Sequence, residues 1–108
     1  MLCFVGVRIV DKIAFIFPGQ ASQFVGMAND FHSTHTEAQE LFSRANDLLD
    51  FDLEKVCFHG PDERLRETDV TQPAVFVHSV IVLRLLQAEG IFPSVVAGHS
   101  LGEYSALV

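Results

Sequence analysis

Thiols are scarce in this 108-residue chain, which has only Cys3 and Cys57. Their separation matches no metal-ligand spacing and no dense disulfide framework, which points to a reducing, cytoplasmic setting and leaves a single disulfide open. Basic residues are scarce too: 7 Lys and Arg stand against 14 Asp and Glu, for a net charge of -7. A surface built to neutralise phosphates has the opposite sign, so no nucleic-acid partner is expected. No apolar run reaches the roughly 20 residues of a membrane-spanning helix, so no membrane partner is expected either. The stretch Met1 to Val10 is apolar, but no basic region precedes it, Arg8 interrupts it and no small-residue cleavage site follows. It does not read as a signal peptide. Residues 1–11 are read as a leader or an extra strand. Internal repeats and low-complexity segments are absent as well.

What the chain does have is apolar content. At 49% hydrophobic and 19% charged residues it is a packed domain rather than a disordered tail. Lys12 to Phe17 (KIAFIF) is short, β-branched and aromatic, and ends at Pro18-Gly19, as a strand buried on both faces of a parallel sheet would. A short helix is expected over Ser22 to Phe31. A second helix carries Ala38, Leu41, Phe42, Ala45, Leu48 and Leu49 along one face, with a capping box from Thr36 and Gln39 or from Thr34 and Glu37. Phe51 to Asp69 is mostly charged and reads as short helical turns on the surface. Thr71 to Glu89 is apolar nearly all round, has an early Pro73 and stops at Gly90, the marks of a buried helix. Ser94 to Gly98 is a second buried strand, and Leu101 to Val108 suits a helix. Two strands do not complete a parallel α/β sheet, so the chain is expected to be the first portion of a larger domain.

The second strand runs straight into Gly98-His99-Ser100-Leu101-Gly102, a G-x-S-x-G sequence between strand and helix. This is the nucleophile-elbow pattern of α/β-hydrolase-like sheets. A sharp turn forces the serine into a strained backbone conformation, and the flanking glycines are needed because a Cβ would strike neighbouring backbone. Ser100 would then stand at the C-terminal edge of the sheet, ahead of a helix N-terminus that favours developing negative charge. The oxyanion of an acyl-transfer intermediate needs two donors. One is the N–H of Leu101, and the loop after the first strand offers the other at Gln20, beside Gly19.

Three blocks, IAFIFPGQASQFVGM, TQPAVFVHSV and AGHSLGEYSALV, resemble in order and spacing the N-terminal part of the malonyl-CoA:acyl-carrier-protein transacylases and of the related acyltransferase domains of fatty acid and polyketide synthases. The resemblance covers residues 12–108. It departs at Ala21, where the family usually has glycine. It implies that Ser100 takes a malonyl group from malonyl-CoA and passes it to the phosphopantetheine thiol of acyl carrier protein, with Gln20 and Leu101 as oxyanion donors. It also places Gln72 and His99 at the substrate pocket, requires no cofactor or metal, since the coenzyme A thioester is a substrate, and puts the histidine base and a carboxylate-binding arginine outside these residues.

His32 and His35 read as residues of a polar connection, His59 as surface beside Gly60-Pro61, and His78 as a core histidine; none of them reads as the base. Cys57 and Met27 read as core. The acidic run Glu37 to Asp69 reads as a solvated face that would repel an acidic carrier protein, so docking would use another surface. Two alternatives share the elbow: a thioesterase or other hydrolase, which passes the acyl group to water, and an inactive truncated fragment.

Overall fold

The computed structural model describes residues 12–108, so the expected leader or extra strand at residues 1–11 lies outside the described residues. The elements are β1 (Ala14–Phe17), α1 (Asn29–Thr34), α2 (Thr36–Leu48), α3 (Leu53–His59), α4 (Asp62–Leu65), α5 (Thr68–Ala88), β2 (Val95–Gly98) and α6 (Gly102–Leu107). β1 and β2 pair in parallel, with Phe15 opposite Val96 and Phe17 opposite Gly98. The chain is therefore α/β around a small parallel sheet, and the two strands end side by side.

Both strands begin slightly later than expected, and neither is buried on both faces. Phe15 and Phe17 are buried with Leu83 of α5 while Ile16 is 78% exposed, and β2, expected as a buried strand, has no buried residue, Val95 being 59% exposed. Alternate residues of a strand point to opposite faces. The helices α5 and α6 pack on the phenylalanine side, and nothing among the described residues covers the other.

The expected helix over Ser22 to Phe31 is a set of turns, with α1 starting only at Asn29. Gly26 at φ 96° and Ala28 at φ 63° take the backbone out of the right-handed region there. α2 follows with Ala38 and Phe42 buried on its inner face. Leu48, expected on that face, is 86% exposed because the chain turns extended at Leu49. Neither capping box forms: Thr34 Oγ1 donates to the carbonyl of Asp30, and Gln39 Nε2 donates to the carbonyl of His32. The two helices abut at His35, so those side chains serve the junction instead.

The charged stretch Phe51 to Asp69 is not a surface feature throughout. Asp52 caps α3 by accepting from the N–H of Lys55, and Leu53, Cys57 and Leu65 are fully buried. They join Phe42, Val70, Ala74 and Ile81 in the main core. Each leucine, valine, isoleucine or phenylalanine among them contributes about 1.5–3 kcal/mol for full burial. The helix α5 starts at Thr68, three residues earlier than expected, so Pro73 falls inside it. It also corrects the expectation that no segment is long enough to span a membrane: its 21 residues suffice by length and composition. In this fold Val70, Ala74, Val77 and Ile81 of α5 pack in the helical core and Leu83 against the sheet.

Candidate active site

The turn from β2 into α6 places Ser100 in the left-handed region, at φ 52°, with the residue exposed. For a residue with a Cβ this conformation is costly and persists only where the surroundings dictate it. Here they do. A Cβ on Gly98 would overlap the backbone of Gly102, and a Cβ on Gly102 would overlap the carbonyl of Phe17. The turn closes through Gly102 N–H to His99 carbonyl at 2.9 Å and Glu103 N–H to Ser100 carbonyl at 3.0 Å. His99 N–H donates to the carbonyl of Phe17 at 3.1 Å, tying the turn to the end of β1.

That tie continues into the loop after β1. A Cβ on Gly19 would stand 2.6 Å from the His99 carbonyl oxygen and 3.0 Å from His99 Nδ1. The two strand-end loops therefore touch through glycine, and Gln20 follows immediately. Its side-chain Nε2 donates to Thr68 Oγ1 at 3.2 Å. Among the described residues neither the N–H of Gln20 nor that of Leu101 is donated to another group.

Gln72 stands on α5 one turn beyond Thr68. With Pro73, Phe76, Leu101 and Tyr104 it lines an open, apolar groove of about 280 Å³. Of the expected site residues, Leu101 and Gln72 share this groove, Gln20 reaches the start of α5 through Thr68, and Ser100 and His99 stand on the turn beside them without lining the groove. Thr68, Phe76 and Tyr104 were not anticipated there. Thr68 lies ahead of the helix start expected at Thr71, and its partner Gln20 is 48 residues away, so no local signal in the sequence marks it.

The remaining histidines lie elsewhere. His32, expected in a polar connection, sits on α1 paired with Glu54 and edge-on to the rings of Phe42 at 6.0 Å and Phe58 at 5.1 Å. His35 is the N-cap of α2, with Nδ1 2.8 Å from Thr34 Oγ1. His59 is exposed at the end of α3. His78 is half-buried against Phe31, and burial pushes its imidazole below the ordinary value. Cys57 is a core thiol whose burial pushes its pKa up to about 12, so it stays protonated and inert.

Comparison with known proteins decides the family. Residues 14–108 match the acyl transferase domain. The chain belongs to that family. This acyl transferase segment is 46% identical over 99 residues to the malonyl CoA-acyl carrier protein transacylase of Bacillus subtilis strain 168, covering 92% of this chain and 31% of the relative. It is also 46% identical over 100 residues to that of Escherichia coli K12, covering 92% of this chain and 32% of the relative. Among solved structures it resembles a malonyl-transacylase in complex with its type II PKS acyl-carrier protein, at TM-score 0.85 and 45% identity, over 90% of this chain and 32% of that one. The transacylase of Coxiella burnetii is similar at TM-score 0.86 and 45% identity, over 90% of this chain and 31% of that one. The chain therefore spans about a third of the length of these relatives.

Proposed function

We propose that this acyl transferase segment carries the nucleophile and oxyanion hole of a malonyl-CoA:acyl-carrier-protein transacylase working in fatty acid synthesis, in a cytoplasmic setting. The observation that carries the reading is the backbone of Ser100: exposed, at φ 52°, and clamped between two glycines that have no room for a Cβ.

Ser100 Oγ attacks the thioester carbonyl of malonyl-CoA. The tetrahedral oxyanion is met by the N–H groups of Gln20 and Leu101, donors that need no reorganisation as the charge develops. Collapse breaks the carbon–sulfur bond, releases coenzyme A and leaves malonyl-Ser100. The phosphopantetheine thiol of acyl carrier protein then attacks this ester, and the serine is regenerated. Gln72 lines the groove beside Leu101, whereas His99, which the resemblance puts at the pocket, stands against Gly19 on the other side of the elbow. The proton of the hydroxyl goes to a base that the described residues do not supply, and the resemblance puts that base, with the arginine for the malonyl carboxylate, in the part of the relatives this chain does not match.

The test uses this chain joined to the part of the Bacillus subtilis transacylase that it does not match. Incubated with malonyl-CoA, the chimera is expected to gain one malonyl group by intact mass, and Ser100→Ala to gain none. Removing a nucleophile of this kind costs on the order of 10⁶ in turnover. An unchanged adduct in Ser100→Ala would overturn the assignment, and release of free malonate in place of malonyl carrier protein would favour the hydrolase.

A further inference from the structure

Gln20 and Thr68 are 48 residues apart in sequence, yet their side chains meet: Gln20 Nε2 donates to Thr68 Oγ1 at 3.2 Å. On the loop side, Gly19 is wedged against His99, and Ala21 sits at φ 81° with its N–H given to Gln23 Oε1 at 2.8 Å. The loop is thus fixed before Gln20 by the elbow and after it by its own turn, while the Gln20 side chain is held from α5. On the helix side, Thr68 is the first residue of α5 and belongs to a braced corner. Arg64 pairs with both Glu67 and Asp69, the residues on either side of Thr68. Thr71 N–H donates to the Glu67 carbonyl at 2.7 Å, and Thr71 Oγ1 donates to the Leu65 carbonyl from a buried position.

We propose that Thr68 is a positioning residue of this acyl transferase: its hydroxyl accepts from the Gln20 side chain and so fixes the direction of the Gln20 backbone N–H. The proposal rests on the reading of Ser100 and Gln20 given above. An amide N–H serves an oxyanion only if its direction is set before charge develops. The side chain of the same residue, anchored to a rigid helix start, restricts the rotation of that peptide unit. Thr68 touches no substrate in this scheme. Because the oxyanion exists only near the transition state, losing the anchor should lower kcat and leave KM nearly unmoved.

In the chimera described above, Thr68→Val removes the hydroxyl and keeps the shape, whereas Thr68→Ser keeps the hydroxyl. Thr68→Val is expected to lower kcat roughly fivefold, the effect of one neutral hydrogen bond, with KM for malonyl-CoA within about twofold. Thr68→Ser should restore kcat. Gln20→Met cuts the same anchor from the other end while retaining the backbone N–H, so it should lose as much, and the double variant should lose no more than either single. In the 108-residue chain itself, the Nε2 resonance of Gln20 should shift in Thr68→Val and stay in place in Thr68→Ser. Unchanged kcat in Thr68→Val, equal losses in Val and Ser, multiplying losses in the double variant, or an unmoved Gln20 resonance would each overturn the proposal. Persistence of the malonyl adduct in Ser100→Ala would instead overturn the underlying reading, whatever Thr68 does.

Discussion

Gly102 presses its bare Cα against the carbonyl of Phe17, so closely that no side-chain carbon fits between them. Helix α6 thereby comes down onto the end of β1, and the elbow carrying Ser100 is locked to the loop carrying Gln20. Gly102→Ala should therefore do more than remove a flexible residue. The methyl must push apart backbone from two elements, which overpacks a site with no mobile side chain to give way. A loss of more than about 3 kcal/mol in urea unfolding of the chain is expected. A loss under about 1 kcal/mol would mean that the loops separate easily and that the two candidate oxyanion donors are not rigidly related.

Ala21 lies in the same loop at φ 81°, and it is the position at which the resembled family usually has glycine. A left-handed residue with a Cβ costs about 1–2 kcal/mol, against about 0.5–1 kcal/mol for the extra freedom glycine has in the unfolded chain. Ala21→Gly should therefore stabilise the chain by about 0.5 kcal/mol, read as a higher urea midpoint at unchanged slope. A destabilised Ala21→Gly would show that the alanine methyl makes a contact outweighing the strain.

Parts of this architecture could be read from the sequence because the physics was local. A G-x-S-x-G between an apolar run and a helix start defines its own turn, and Thr71 to Glu89 is apolar enough to declare a buried helix. Leu53, Cys57 and Leu65 were hidden for the opposite reason. Each comes from a helix of seven residues or fewer, too short for a periodic face to stand out among charged neighbours. The openness of Ile16 and Val95 was equally out of reach, since an apolar strand sequence records what a sheet is made to bury and not what covers it. Thr68 was missed because its role depends on a contact across 48 residues.

His78 gives the fold a pH dependence. Burial disfavours its charged form and outweighs the pull of Asp30, so its folded pKa lies below the ordinary 6.5 of the unfolded chain. The unfolded state then binds the proton more readily, and stability is greatest above pH 6.5 and falls as the pH drops through the folded value. His78→Leu removes the titrating group and should flatten this part of the profile between pH 7.5 and 5. The check is the difference between the two urea midpoints across that range; parallel curves would mean that His78 does not contribute.

The 108-residue chain on its own should transfer malonyl groups at no measurable rate. Ser100 is a neutral alcohol until a base takes its proton, and among the described residues no hydrogen bond joins its hydroxyl to a histidine. His32, His35 and His78 are half-buried among the helices, against Glu54, Thr34 and Phe31 respectively, and His59 is exposed at the end of α3. His99 precedes the serine directly, with its ring nitrogen Nδ1 beside Gly19. Losing the base of a nucleophile–base pair costs about as much as losing the nucleophile. An oxyanion hole alone sustains roughly 10³–10⁴ over water, far below a usable turnover. The measurement is a carrier-protein malonylation assay on the purified chain beside the Bacillus subtilis relative. Turnover comparable to the relative would identify a base among these histidines and overturn the assignment of that role to residues beyond them.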